Sequence, residues 1–273
     1  MIKLLALDLD GTLTTSKKEI TPRTKEVLQQ CIARGVKIVL ASGRPTVGVW
    51  NVARELELDK LGGYILSYNG GCIIDCSTGK VVAQEAVPSE LVAPVCEEAK
   101  SVGGVPMSYN SEGILTECAQ DQYVQLESRT CKIPVIEVEN LGKAIDFEVN
   151  KILVTMEPSQ MPRLEEHMQQ KFAGKLSLYK SAPFFLEIVP LGVEKAQSLA
   201  ALLTILGLTA DNLMACGDSW NDISMIRLAK YGIAMGNAVP EVKCEAIWTS
   251  EDNDHDGVAL AVEKWILSDD TAQ

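Results

Sequence analysis

Two rhythms of apolar and polar positions alternate along the first 80 residues. Ile2 to Leu7 and Val36 to Ala41 are near-continuous apolar runs, the pattern of strands covered on both faces. Between them Thr21 stands as a helix cap with Pro22 at the first helical position. Val27, Leu28, Cys31 and Ile32 then recur at helical spacing until Gly35 stops the element. Pro45 opens a second helix predicted to reach about Leu58, and Tyr64 to Tyr68 reads as a third strand, closed by Asn69-Gly70-Gly71. Strand, helix, strand, helix, strand is the order of a doubly wound, mostly parallel α/β sheet.

From about residue 83 the order changes. A helix near Ser89 to Val102 precedes two short segments, Val105 to Tyr109 and Gly113 to Glu117, whose spacing around Asn110-Ser111-Glu112 predicts a hairpin. Lys151 to Met156, a helix from about Pro162 to Phe172, and the segments Lys175 to Lys180 and Phe184 to Val189 complete an α+β stretch. After Pro190 the alternation resumes. Val193, Ala196, Leu199, Ala200 and Leu203 form a helical stripe ended by Gly207, and Asn212 to Cys216 reads as a strand. Gly232 to Met235 and Ala246 to Thr249 are short strands, and Val258 to Leu267 a final helix. The expected organisation is a Rossmann-like core from residues 1–82 and 190–273, with an inserted α+β cap domain over 83–189. The two short joins would serve as hinges.

Composition narrows the setting. A chain of 273 residues suggests two domains, and 47% hydrophobic with 23% charged residues is ordinary globular usage. The N-terminal apolar stretch is cut by Asp8, too early for a secretory signal, and the longest apolar run, Leu199 to Leu208, falls well short of the roughly 20 residues that span a bilayer. A cytoplasmic location is the expectation. A net charge of −12 opposes nucleic acid and anionic lipid as partners while concentrating divalent cations. Eight scattered cysteines read as small buried hydrophobes in a reducing compartment. Only Cys72 and Cys76 are close together, and with His167 and His255 as the only histidines a zinc cluster lacks partners. Nothing indicates an obligate protein partner.

Chemistry concentrates in a few short segments. Leu5-Ala-Leu-Asp-Leu-Asp-Gly-Thr-Leu13 carries Asp8 and Asp10 out of a buried strand. Two carboxylates roughly 4 Å apart repel by about 4 kcal/mol at an effective dielectric near 20, so gathered acids call for a cation or a bound proton, and magnesium is the simplest remedy. Gly217-Asp218-Ser219-Trp220-Asn221-Asp222 brings two more acids behind the apolar run Leu213 to Cys216. Between them lie Ser42-Gly43-Arg44, a hydroxyl on an amide-rich turn, and Lys195, both suited to phosphoryl oxygens. Asp8, Ser42, Asn69 and Asp218 each follow a predicted strand, which places them on the ligand-binding edge of a doubly wound sheet. Trp220 reads as a packing residue, and the two histidines as surface or capping groups.

In this order the motifs resemble the haloacid dehalogenase-like superfamily, in its Cof-type, sugar-phosphatase-like branch with a large cap, across almost the whole chain. The resemblance implies a magnesium-dependent phosphatase acting on small phosphorylated metabolites such as sugar phosphates, through an aspartyl-phosphate intermediate. It implies Asp8 as nucleophile and Asp10 as general acid and base, with Thr12 orienting Asp10. Magnesium would be held by Asp8, the Asp10 carbonyl and Asp218, with Asp222 either direct or behind them. Ser42, the Gly43 amide, Lys195 and Asn221 would meet the phosphoryl group, and Arg44 and Asn69 the rest of the substrate. Gly192-Val193-Glu194-Lys195-Ala196 departs from the family's usual Gly-x-x-Lys-Gly. Two alternatives stay open: a phosphotransferase or mutase of the same superfamily, and a phosphoacceptor module without turnover, against which Asp10 and the chain length argue.

Overall fold

The structure is a computed structural model and describes residues 1–268. In chain order the elements are β1 (Leu4–Leu7), α1 (Pro22–Ala33), β2 (Lys37–Ala41), α2 (Thr46–Glu55), α3 (Leu58–Leu61), β3 (Tyr64–Ser67), β4 (Cys72–Asp75) and β5 (Val81–Gln84). Next come α4 (Ser89–Ser101), β6 (Val105–Tyr109), β7 (Ile114–Thr116), α5 (Gln122–Cys131), β8 (Val135–Glu137), α6 (Leu141–Ala144), β9 (Ile152–Thr155), α7 (Met161–Phe172), β10 (Leu176–Ala182) and β11 (Phe185–Pro190). The chain finishes with α8 (Lys195–Ile205), β12 (Leu213–Gly217), α9 (Ile223–Leu228), β13 (Tyr231–Ala234), α10 (Pro240–Glu245), β14 (Trp248–Thr249) and α11 (Gly257–Val262).

The chain forms two compact units. The first holds residues 1–43, 50–83 and 194 onward, around a sheet of order β14-β13-β12-β1-β2-β3-β4-β5. β1 pairs parallel with both β2 and β12, in register Leu7↔Leu40 and Leu7↔Cys216. β3, β13 and β14 extend the parallel set, and β4 turns back against β3. Every residue of β1 and β12 is buried, which explains their apolar runs. α1 begins as its sequence signals: the Thr21 hydroxyl accepts from Thr24 N, Pro22 follows, and Val27, Leu28 and Cys31 are buried. The helix expected from Pro45 to about Leu58 is α2, which ends at Glu55; Glu57 then adopts a left-handed φ of 55°, and the separate short α3 starts at Leu58.

The second unit holds residues 44–49 and 84–193, with a sheet of order β10-β11-β9-β6-β7-β8. Its strands are antiparallel except for the β7–β8 pair, and β6 and β7 form the expected hairpin with Tyr109 opposite Ile114. α4 and α7 contribute Val95, Leu164 and Met168 to one apolar cluster with Ile152, Val154, Leu186 and Ile188 from the sheet. An α/β core with a second α+β unit is the fold class the periodicity predicts. β4, β5, α5, β8 and the short helices α6, α9 and α10 have no counterpart among the expected elements.

Candidate active site

Three carboxylates meet at the carboxyl ends of adjacent strands in the first unit. Asp8 follows β1 directly, while Asp218 and Asp222 follow β12, and one oxygen from each lies within 4.8 Å of the others. Lys195 stands between two of them, its Nζ 2.6 Å from Asp8 Oδ1 and 2.7 Å from Asp222 Oδ1, and its side chain is fully buried. The lysine opens α8, at the end of a helix where the macrodipole disfavours a cation, so its burial depends on these two acids. Burial works against the ammonium, but Asp222 and Asp8 outweigh it and hold Lys195 above the ordinary lysine range. The buried stripe of α8 is accordingly Lys195, Leu199, Leu202 and Leu203; the expected stripe was turned, because a paired lysine takes an inward position.

One lysine does not balance three acids. Burial, and then the neighbouring Asp222, push the Asp8 carboxyl up to about 8 despite Lys195. Burial raises Asp218 to about 6, against the hydrogen bond it accepts from Thr12. Thr12 Oγ1 donates to Asp218 Oδ1 at 2.8 Å, so in this structure the hydroxyl expected to orient Asp10 orients Asp218. Asp222 is committed on both oxygens: Oδ1 to Lys195, and Oδ2 to the amides of Asp218 and Ser219, each at 3.0 Å.

Two glycines permit this crowding. A Cβ on Gly11, whose φ is +88°, would stand 2.4 Å from Asp218 Oδ2, and one on Gly217 would stand 2.5 Å from Asp222 Cβ. Asn237 Nδ2 donates to Gly11 O at 2.8 Å and steadies the turn from behind.

The remaining predicted residues lie around this centre or apart from it. Ser42 is buried at the end of β2, its amide bonded to Leu66 O, and its carbonyl accepts from Asn69 N at 2.9 Å. Asn69 has a left-handed φ of 56°, and its Oδ1 accepts from Asn221 Nδ2 at 2.9 Å, while its side chain crowds Gly43. Ser42, Gly43, Asn69 and Asn221 therefore form one linked group. Arg44 begins the short segment that clusters with the second unit, where its charge acts on the Cys131 sulfur. Asp10 lies outside the three-acid group, and its Oδ1 accepts from Lys18 Nζ at 2.7 Å, a partner no motif announces.

Some expectations change. Trp220 is 64% exposed where a packing role was expected, because the turn Ser219–Asp222 closes on the Asp222 carboxylate and leaves position 220 outside. His167 Nε2 pairs with Glu98 and His255 Nδ1 with Asp252. Six cysteines are buried, Cys118 and Cys244 are exposed, and all eight are free.

A parallel α/β core that gathers carboxylates and a buried lysine at the carboxyl ends of its central strands has the architecture of the haloacid dehalogenase-like hydrolases. The sequence profile of that family matches residues 5–262, and the chain belongs to it. A solved haloacid dehalogenase-like hydrolase from Bacteroides thetaiotaomicron is 40% identical, with a TM-score of 0.94 over 97% of this chain and 99% of its own. The protein M6_Spy0533 of Streptococcus pyogenes serotype M6 is 32% identical over 98% of this chain and 99% of its own. The 5-amino-6-(5-phospho-D-ribitylamino)uracil phosphatase YcsE of Bacillus subtilis is 29% identical over 97% of this chain and 96% of its length. No helix among the described residues is long and apolar enough to cross a membrane.

Proposed function

We propose that the protein is a magnesium-dependent phosphatase that hydrolyses small phosphorylated metabolites, sugar phosphates among them, through an aspartyl phosphate on Asp8. The observation that carries this reading is the meeting of Asp8, Asp218 and Asp222 within 4.8 Å around the buried Lys195. An all-oxygen, carboxylate-rich donor set with surplus negative charge fits a hard divalent cation. Asp8, the Asp10 carbonyl and Asp218 would hold the magnesium, and Asp222, whose oxygens are occupied by Lys195 and two amides, would fix that lysine and the Asp218 loop. When bound, the ion supplies charge neutralisation to the phosphoryl group.

The chain's own residues would then act in two half-reactions. Ser42, the Gly43 amide, Lys195 and Asn221 bind the phosphoryl oxygens and orient phosphorus toward Asp8. Asp8 attacks phosphorus, the bond to the ester oxygen breaks, and Asp10 gives that oxygen its proton. Asp10 next takes a proton from water as the water oxygen attacks the aspartyl phosphate, which releases inorganic phosphate and regenerates the Asp8 carboxylate. Residues 83–189 would act as the cap that selects the leaving group, with Arg44 and Asn69 contributing to substrate contact. The phosphorylated ribityl compound in the Bacillus subtilis relative's name supports a phosphorylated polyol or sugar as the substrate class.

The test is phosphate release from a panel of hexose, pentose and polyol phosphates and nucleotides, with magnesium and with a chelator. Magnesium-dependent release from part of the panel is expected; no release from any ester contradicts the proposal.

A further inference from the structure

Asp10 is held by a residue outside every motif. Lys18 Nζ donates to Asp10 Oδ1 at 2.7 Å, with the two side chains 43% and 35% exposed. The backbone that delivers Lys18 is unusual. Its φ is +61°, in a tight turn where Lys18 N donates to Thr15 O at 2.8 Å and Thr15 N to Glu19 O at 2.9 Å. A side chain in the left-handed region costs on the order of 1–2 kcal/mol, which glycine avoids. A half-exposed ion pair contributes about 0–1 kcal/mol, so the pair does not explain the placement through stability.

The turn is also braced from outside. Ser16 N donates to Asp254 Oδ1 at 2.8 Å, Asn253 Nδ2 to Thr14 O at 2.9 Å, and Asn253 N to Asn237 Oδ1 at 3.2 Å. Since Asn237 also bonds Gly11 O, two linked loops, after β13 and after β14, steady the Asp10-Gly11 turn and the turn that carries Lys18. Strained backbone that its surroundings hold in place is a feature of functional positions.

We propose that Lys18 is a positioning residue that fixes the Asp10 carboxyl outside the three-acid cluster and aims it at the leaving-group oxygen. This rests on the reading of Asp10 as the proton donor. Without the ammonium, the carboxyl loses the contact that sets the position of Oδ1, and a displaced carboxyl separates the donor from the ester oxygen. The proton still passes from Asp10 to that oxygen as its bond to phosphorus breaks; Lys18 takes no part in the transfer.

The test compares Lys18→Gly, Lys18→Met, Lys18→Arg and Asp10→Asn on two esters, with thermal melts alongside. p-Nitrophenyl phosphate expels a nitrophenolate that needs no proton, whereas glucose 6-phosphate expels an alkoxide that does. Lys18→Gly and Lys18→Met are expected to lose at least about tenfold in kcat on glucose 6-phosphate and less than about threefold on p-nitrophenyl phosphate. Lys18→Gly should melt no lower than the unaltered protein, and Lys18→Arg should restore most of the sugar-phosphate rate. Equal losses on both esters, or no loss on glucose 6-phosphate, overturn the positioning role while the phosphatase reading stands. If Asp10→Asn falls equally on the two esters, the proton-donor assignment fails and takes this proposal with it. If the unaltered protein hydrolyses neither ester, the phosphatase reading falls for these substrates and the proposal falls too.

Discussion

Lys195 and Asp8 are 187 residues apart in the chain, yet Nζ and Oδ1 lie 2.6 Å apart with the lysine fully buried. The contact ties α8 to the end of β1, and the same ammonium also pairs with Asp222, which places one positive charge against two of the three clustered acids. Lys195→Met would strand two buried carboxylates, and breaking such a pair costs about 3–5 kcal/mol. The expected result is a marked fall in melting temperature in chelator, partly recovered by magnesium, with turnover lost in both conditions. An unchanged melting temperature would show that the lysine is not needed to balance the acids.

The acids themselves give a pH dependence. Asp8 is raised from 3.8 to about 8, and Asp218 from 3.8 to about 6, so between these values the folded chain binds more protons than the unfolded chain. That contribution to stability is complete below pH 3.8 and is lost as pH rises through about 6 and then about 8. In chelator, this pair of groups should make the protein less stable at pH 8 than at pH 5.5. Magnesium must displace the same protons, so its affinity should rise over this interval and its stabilising effect should be largest at pH 8. Melts across pH with and without magnesium check both; Asp8→Asn should flatten the slope in chelator.

Close approach at two glycines leads to a further expectation. Gly11→Ala would place a methyl against Asp218 Oδ2 at a φ of +88°, and Gly217→Ala would place one against Asp222 Cβ. Each should displace its carboxylate and weaken magnesium binding by at least about tenfold, about 1.4 kcal/mol, with the fold retained by circular dichroism. Calorimetric titration with magnesium measures it.

Thr12 provides a milder probe. Thr12→Val removes the 2.8 Å hydrogen bond to Asp218 Oδ1 and leaves the shape nearly intact. A hydrogen bond of this kind contributes about 1 kcal/mol, so magnesium affinity should drop by about fivefold. If Thr12 instead acts on Asp10, the loss will appear in kcat and not in magnesium binding.

The residues that carry charge in apolar surroundings were the legible part of this site. Asp8 and Asp218 stand out because each directly follows a buried apolar strand, and the doubly wound order then places them on one edge. α5 has no apolar stripe that marks it in the sequence, because Gln122–Cys131 is polar for a helix and buries Glu127 beside Val124 and Cys131. β4 is short and follows an Asn-Gly-Gly turn that reads as an ending, and β5 is an equally short strand behind it. The inward face of α8 is not legible from its apolar spacing alone, because Lys195 takes a buried position that depends on two acids distant in sequence. Lys18 has no signal of its own: one lysine of a Lys17-Lys18 pair becomes specific only when the turn that presents it is seen.

The aspartyl phosphate is best tested by trapping it. Enzyme mixed with magnesium and the fastest ester of the panel, quenched in acid and reduced with borohydride, should carry the reduced acyl phosphate at position 8, located by mass spectrometry of the peptide spanning β1. The modification should be absent from Asp8→Asn. Turnover with no modification at Asp8, while a control acyl phosphate is reduced under the same conditions, would contradict the account.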